Sequence, residues 1–155
     1  MATNVSEEVM QTLEVLKDEH VAAPIDIVFE TILEQMGPYN ETPDGVALAM
    51  KIEAWPGGRW FRDLGGNSGH LWGHVQSIKA PTLLEICGPL FMSGPAMNNV
   101  QYRLTAEGNG TRIQFVHRGM GQIDARHREG VSRGWGSLLD RIKAKAEGRN
   151  KGGKS

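Results

Sequence analysis

Along the chain, the spacing of hydrophobic positions passes from alternation to helical period, back to alternation and again to helical period, and each shift marks a new element. Residues 12–23, TLEVLKDEHVAA, alternate but are heavily charged, which fits an edge strand or a helical lead-in. The next stretch, APIDIVFETILEQMG, is helical. Ile25, Val28, Phe29, Ile32, Leu33 and Met36 fall on one face, Pro24 suits the first turn, Asp26 and Glu30 complement the early part, and Gly37-Pro38 ends it. From Val46 to Gly119 the period is two, and Gly, Pro and Asn clusters divide the run into strands over 46–55, 59–64, 70–79, 82–91, 98–106 and 111–119. After a loop containing Met120 to Ile123, residues 130–148 read as a long helix with Val131, Trp135, Leu138, Leu139 and Ile142 on one face. Strand, helix, six strands and a long helix predict an α+β fold in which a curved antiparallel sheet wraps the terminal helix.

That last helix contains Gly130, Gly134 and Gly136 around a tryptophan. Each glycine in a helix interior costs about 1 kcal/mol relative to alanine, so their presence calls for a reason. On a helical wheel Gly134 lies beside the Val131, Trp135, Leu138 stripe, where a missing side chain leaves room for the sheet or a ligand. Leucine at 134 is therefore expected to overpack the interface or to block a cavity. Gly130 and Gly136 lie farther round and have only local mobility as a candidate role.

Composition narrows the function classes. The chain has 155 residues, which fits one domain, taken as residues 12–147 between an N-terminal tail (1–11) and a basic flexible tail (148–155). A formal net charge of −1, with both signs interspersed, offers no footprint for nucleic acid and no basic amphipathic helix for a membrane surface. No apolar run suits a membrane span, and the first residues lack the pattern of a signal peptide. A single cysteine, Cys87, fits a reducing compartment. A cytoplasmic protein with small-molecule or protein partners is expected.

Candidate chemistry is sparse. Alternation puts Ile113, Phe115 and His117 on the inner face of the last strand, opposite Arg112, Gln114, Val116 and Arg118. His117 is then either a buried histidine bonded to a neighbour such as Tyr102, or a ligand contact and proton donor. His70 and His74 in HLWGH stand about 13 Å apart on a strand, too far to share a zinc ion with ligand distances of about 2 Å. No serine sits in a nucleophile elbow, and Cys87 lies in an apolar strand. Gly57-Gly58 and Gly65-Gly66 resemble hairpin turns, since neither opens a helix as a phosphate loop would. What stands out is a set of large rings and methionines, including Met50, Trp60, Trp72, Tyr102, Phe115 and Trp135. They are ordinary core material, or the lining of an apolar pocket with a few polar groups such as His117, Tyr102 and Asn98.

Taken in order, AAPIDIVFETI, PGGRWF, GHVQSIKAPTLLE, GTRIQFVHRG and GWGSLLDRI resemble the activator-of-heat-shock-protein-ATPase homologue group of the START-like, SRPBCC superfamily, over roughly residues 12 to 147. The resemblance implies the helix-grip, birch-pollen-allergen-like fold: a seven-stranded antiparallel sheet around a long C-terminal helix, short helices after the first strand, and a cavity between sheet and helix. At 37–46, GPYNETPDGV departs from the tryptophan-bearing segment common in that group, so the cavity entrance is expected to differ. Proteins of this kind include lipid and hormone binders, cyclases and aromatases, and co-chaperone domains. The expected function is binding of a small apolar or amphiphilic molecule by Met50, Trp60, Trp72, Asn98, Tyr102, Phe115, His117, Trp135, Leu138 and Leu139. No catalytic residue, metal or cofactor is assigned. The alternatives are a cyclase or hydratase using His117, and a domain that contacts a chaperone ATPase. Either a monomer or a homodimer fits.

Overall fold

In a computed structural model, residues 4–152 are described. The charged alternation near the N-terminus forms an edge strand, β1 (Gln11–Val21), paired along its length with the last strand, β7 (Gly110–Gly121). Val15 and Val21 turn inward and are buried, whereas Glu14 and Asp18 pair with Arg118 and Arg112 on the outer face. On the inward side Lys17 and Glu19 are half-buried and bond Ser132 and Lys143 of the last helix, so both faces of the strand have partners that fix its register.

The helix α1 (Ile25–Met36) buries Val28, Phe29, Ile32 and Met36, with Ile25 and Leu33 half-buried. It ends where Gly37 donates its N–H to the Glu34 carbonyl at 3.1 Å. One short helix follows β1, and the place of a second is taken by turns over 37–50, held by the Leu48 N–H to the Asn40 carbonyl at 2.8 Å and by a bridge between Glu41 and Ala47. The strand expected over 46–55 shrinks to β2 (Lys51–Ile52), because only these two residues pair in ladder register with β3 (Arg59–Gly65). Val46 is left exposed while Met50 remains buried.

The remaining strands are β4 (Ser68–Lys79), β5 (Leu83–Gly88) and β6 (Ala96–Glu107), and the sheet runs β1-β7-β6-β5-β4-β3-β2, antiparallel throughout. Between β2 and β3, the Pro56-Gly57-Gly58 turn needs the left-handed φ of 84° at Gly57, which favours glycine. The strand expected to reach residue 91 stops at Gly88. Leu90 adopts φ 56° and turns its N–H back onto the Trp72 carbonyl at 2.7 Å.

The terminal helix α2 (Ala125–Gly152) begins before Gly130, where the Asp124 carboxylate accepts the Arg126 N–H at 2.7 Å and caps the first turn. This turn escapes the periodicity because residues 124–130 are polar or small, with Ala125 and Gly130 among them. At the other end α2 continues through residues 148–152, a stretch assigned above to the tail. Arg149 pairs with Glu34 and donates to Thr31 Oγ1, and Asn150 bonds the Ala22 carbonyl. Residues 153–155, and residues 1–3 of the N-terminal tail, lie outside the described part. The core lies in the grip itself, with Leu139, Ile142 and Ala146 of α2 buried with Val28 and Ile32 of α1 and with Leu104, Ile113 and Phe115 of the sheet. The fold is the α+β helix grip.

Candidate functional site

Two rows of aromatic rings stand between the sheet and α2. In the first, Tyr102 packs edge-on against Phe115 with ring centroids 5.0 Å apart, Phe115 lies 4.8 Å from Trp135, and Trp135 lies 5.6 Å from His117. All four are buried. The indole N–H of Trp135 donates to His117 Nδ1 at 2.8 Å, which fixes the proton on Nε2, and Nε2 donates to Asn98 Oδ1 at 2.7 Å. Asn98 in turn donates to the Pro89 carbonyl at 3.2 Å. Its cross-strand neighbour is Gly119, where a Cβ would collide with Asn98 Oδ1. Burial pushes the His117 imidazole down to about 4 from its ordinary 6.5. His117 is therefore a neutral tie between α2 and the sheet, with both ring nitrogens hydrogen-bonded.

The second row comprises Trp60, Trp72, Phe91 and His127, with successive centroids 5.0, 5.9 and 5.3 Å apart, all edge-on. Trp60 is anchored by its indole N–H to the Met36 carbonyl at 2.8 Å. Trp72 is unpaired in the register, since Trp60 faces Gly73 and Phe61 faces Leu71. This bulge sets the Trp72 ring against Trp60, on the inner face. The Trp72 indole donates to His70 Nδ1 at 3.1 Å.

All four rings of this second row line a cavity of about 330 Å³. Its helical wall comes from the first half of α2: Gly130, Val131, Gly134, Trp135 and Leu138, closed at one end by Arg141. The opposite rim is the turn segment 40–43 with Leu48, the stretch in which the sequence departs from the common pattern of its resemblance group. A Cβ at Gly130 or Gly134 would meet no atom within 4 Å. Leucine at 134 thus has space to enter, and overpacking of the sheet is replaced by loss of cavity volume. Gly136 faces elsewhere, and its Cβ would meet only Lys17 Nζ, at 3.7 Å.

Of the residues singled out from the sequence, Trp60, Trp72, Trp135 and Leu138 line this cavity. Met50, Asn98, Tyr102, Phe115, His117 and Leu139 are buried outside its lining. Alternation correctly turns the strand residues inward, but Trp135 packs onto Phe115 and His117, and the empty space falls farther along, between α2 and the β3–β4 hairpin. His127 and Arg141 were missed. A helix started at Ala125 would have put His127, Gly130, Gly134, Leu138 and Arg141 on one face, at spacings of three and four.

Arg141 is one of several polar residues in the lining, with Asn40, Glu41, Thr42, Arg126 and His127. Its Nη1 donates to Ser137 Oγ at 3.0 Å and its Nη2 to the Glu41 carbonyl at 3.1 Å, whereas Nε is buried without an acceptor. The Tyr102 hydroxyl is likewise buried and unpartnered. Burial drives the phenol pKa upward, with the Arg141 charge opposing it. Among the described residues no cluster of His, Cys, Asp or Glu is arranged to hold a metal ion, and no helix is long and apolar enough to cross a membrane.

Comparison with known proteins places this geometry in context. The model of the family described as Activator of Hsp90 ATPase homolog 1-like protein matches residues 22–147. No curated protein matches the sequence. Among solved structures, a protein from Rhizobium leguminosarum superposes with a TM-score of 0.69 at 17% identity, over 90% of this chain and 97% of its own. The Aha1 dimer from Colwellia psychrerythraea gives 0.65 at 11% identity, covering 87% of this chain and 96% of its own. CalU16 from Micromonospora echinospora gives 0.56 at 19% identity, covering 88% and 83%. At these identities the likeness is one of fold.

Proposed function

The chain belongs to the Activator of Hsp90 ATPase homolog 1-like family, and because a fold does not by itself fix a function, we propose from its own cavity that it binds a small apolar or amphiphilic molecule. The observation that carries this reading is the pair Gly130 and Gly134 on the cavity wall of α2. A helix gives up about 1 kcal/mol at each such glycine, and here the loss preserves empty, ring-lined space instead of a packing contact. An apolar pocket with few polar groups is the usual form of a small-molecule site. Binding without catalysis fits best, because both His117 nitrogens are already bonded. The setting proposed is the cytoplasm.

The test is a titration of tryptophan fluorescence with a panel of alkyl alcohols, fatty acids and fused-ring aromatics, since Trp60, Trp72 and Trp135 all border the cavity. A saturable response is expected in the wild type and its loss in Gly134→Leu, whose unfolding midpoint should not fall. Silence across the panel, or equal binding by the variant, would overturn the reading. The family description favours a second reading, contact with a chaperone ATPase through the outer surface. That reading predicts stimulation of a purified Hsp90 ATPase by wild type and Gly134→Leu alike.

A further inference from the structure

Arg141 has no ion-pair partner among the described residues, although Glu41, which also lines the cavity, touches it through its backbone carbonyl. Its two bonded nitrogens meet a hydroxyl and a backbone carbonyl, both neutral, and among the described residues no carboxylate lies within ion-pair distance of it. Four other α2 cations have carboxylate partners, Lys143 with Glu19 at 3.1 Å, Arg149 with Glu34, Arg133 with Asp44 at 3.3 Å and Arg126 with Asp124 at 3.6 Å, and Arg128, Lys145 and Lys151, without an ion pair among the described residues, lie outside this cavity's lining. Removing a guanidinium from water is costly unless its donors and charge are met, and the Nε–H of Arg141 is buried with no acceptor. A second unmet group is the hydroxyl of Tyr102, a residue with 0% exposure outside the cavity lining, whose phenol feels the Arg141 charge. A planar anion suits a guanidinium with a free edge, because it accepts from the fork and cancels the charge together.

We propose that the cavity takes an amphiphilic carboxylic acid, its carboxylate held by Arg141 and its apolar tail lying against Trp60, Trp72 and Trp135 over the Gly130–Gly134 wall. This rests on the binding reading above and adds the head group. The wall that faces the tail is rings and glycines, so chain shape is weakly specified. The charged end is specified by one residue.

Decanoate and decanol share a tail and differ in charge at about pH 7, where a carboxylic acid is ionised. Calorimetric titration of the intact chain should give decanoate an affinity about tenfold or more above decanol, the usual advantage of a charge-assisted bond in a part-buried site. In Arg141→Gln the preference should collapse to within about twofold while decanol binding stays within about threefold of wild type. Arg141→Lys, which keeps the charge without the fork, should retain part of the preference. Arg103→Gln is the surface control: that arginine is exposed on β6 and lies outside the cavity lining, so its loss should leave the preference unchanged. Decanol binding as tightly as decanoate to the wild type, or a preference that survives in Arg141→Gln, would overturn the head-group assignment and leave the cavity reading standing. Failure of both ligands to bind the folded wild type would overturn both.

Discussion

The row Tyr102, Phe115, Trp135, His117 and the row Trp60, Trp72, Phe91, His127 are built from the same kinds of ring, at similar edge-on or tilted spacings, between the sheet and α2. The first is sealed. Trp135 covers it, Leu139 and Ile142 fill the space behind it, and a chain of hydrogen bonds through His117 and Asn98 fastens the cover to the sheet. The second faces Gly130 and Gly134, and a cavity remains. Whether an aromatic residue here is core or ligand surface is thus decided across the gap, by what the helix presents to it. Trp135 takes part in both, with one side packed on Phe115 and the other bordering the cavity.

The comparison breaks if the two rows contribute alike to stability. Phe115→Ala should cost about 3 to 5 kcal/mol, since the ring is fully buried and its cavity cannot refill. Phe91→Ala, at a half-buried position on an existing cavity, should cost well under half of that by denaturant unfolding. Similar losses would show that the second row is packed as tightly as the first.

The sealed row also carries a pH signature. His117 has a folded pKa lowered to about 4, so as pH falls from about 6.5 the unfolded chain takes up a proton that the native chain refuses. Stability is complete above about pH 6.5 and declines down to about pH 4, by up to about 3 kcal/mol. His117→Gln should flatten that part of the profile. A profile of wild type that is level between those limits would mean that His117 accepts a proton without breaking its bond from Trp135.

The smallest effects separate the glycines. Gly134→Ala and Gly136→Ala should each raise stability by somewhat under 1 kcal/mol through helix propensity, because neither Cβ meets an obstructing atom. Only the first should weaken ligand binding. Equal effects on binding would place the cavity elsewhere.

Much of the grip could be read from the chain because alternation and helical period report which face is buried. β1, α1 and the hairpins from β3 to β7 follow that pattern, and His117 points inward as its neighbours Ile113 and Phe115 require. What could not be read depends on partners or on local breaks in period. Residues 46–50 alternate but have no strand to pair with. The bulge at Trp72 shifts the facing of β4. The first turn of α2 has no large apolar residue to announce it, so periodicity starts the helix at Gly130 and leaves out His127, while Arg141, inside that helix, carries no apolar signal. The cavity itself is a property of the gap between elements. Gly134 hinted at it, but neither strand nor helix alone could say that the space adjoins Trp60 and Trp72 instead of Tyr102 and His117.

The central claim is that a ligand sits against the glycine face of α2, and an amide and indole NMR titration with decanoate tests it most directly. Saturable shifts should appear at Gly130, Gly134 and Leu138 and at the indole N–H of Trp72, with the Tyr102 and Ile113 amides little changed. Shifts concentrated on β6 and β7 while Gly130 and Gly134 stay still, or no saturable shift at all, would contradict it.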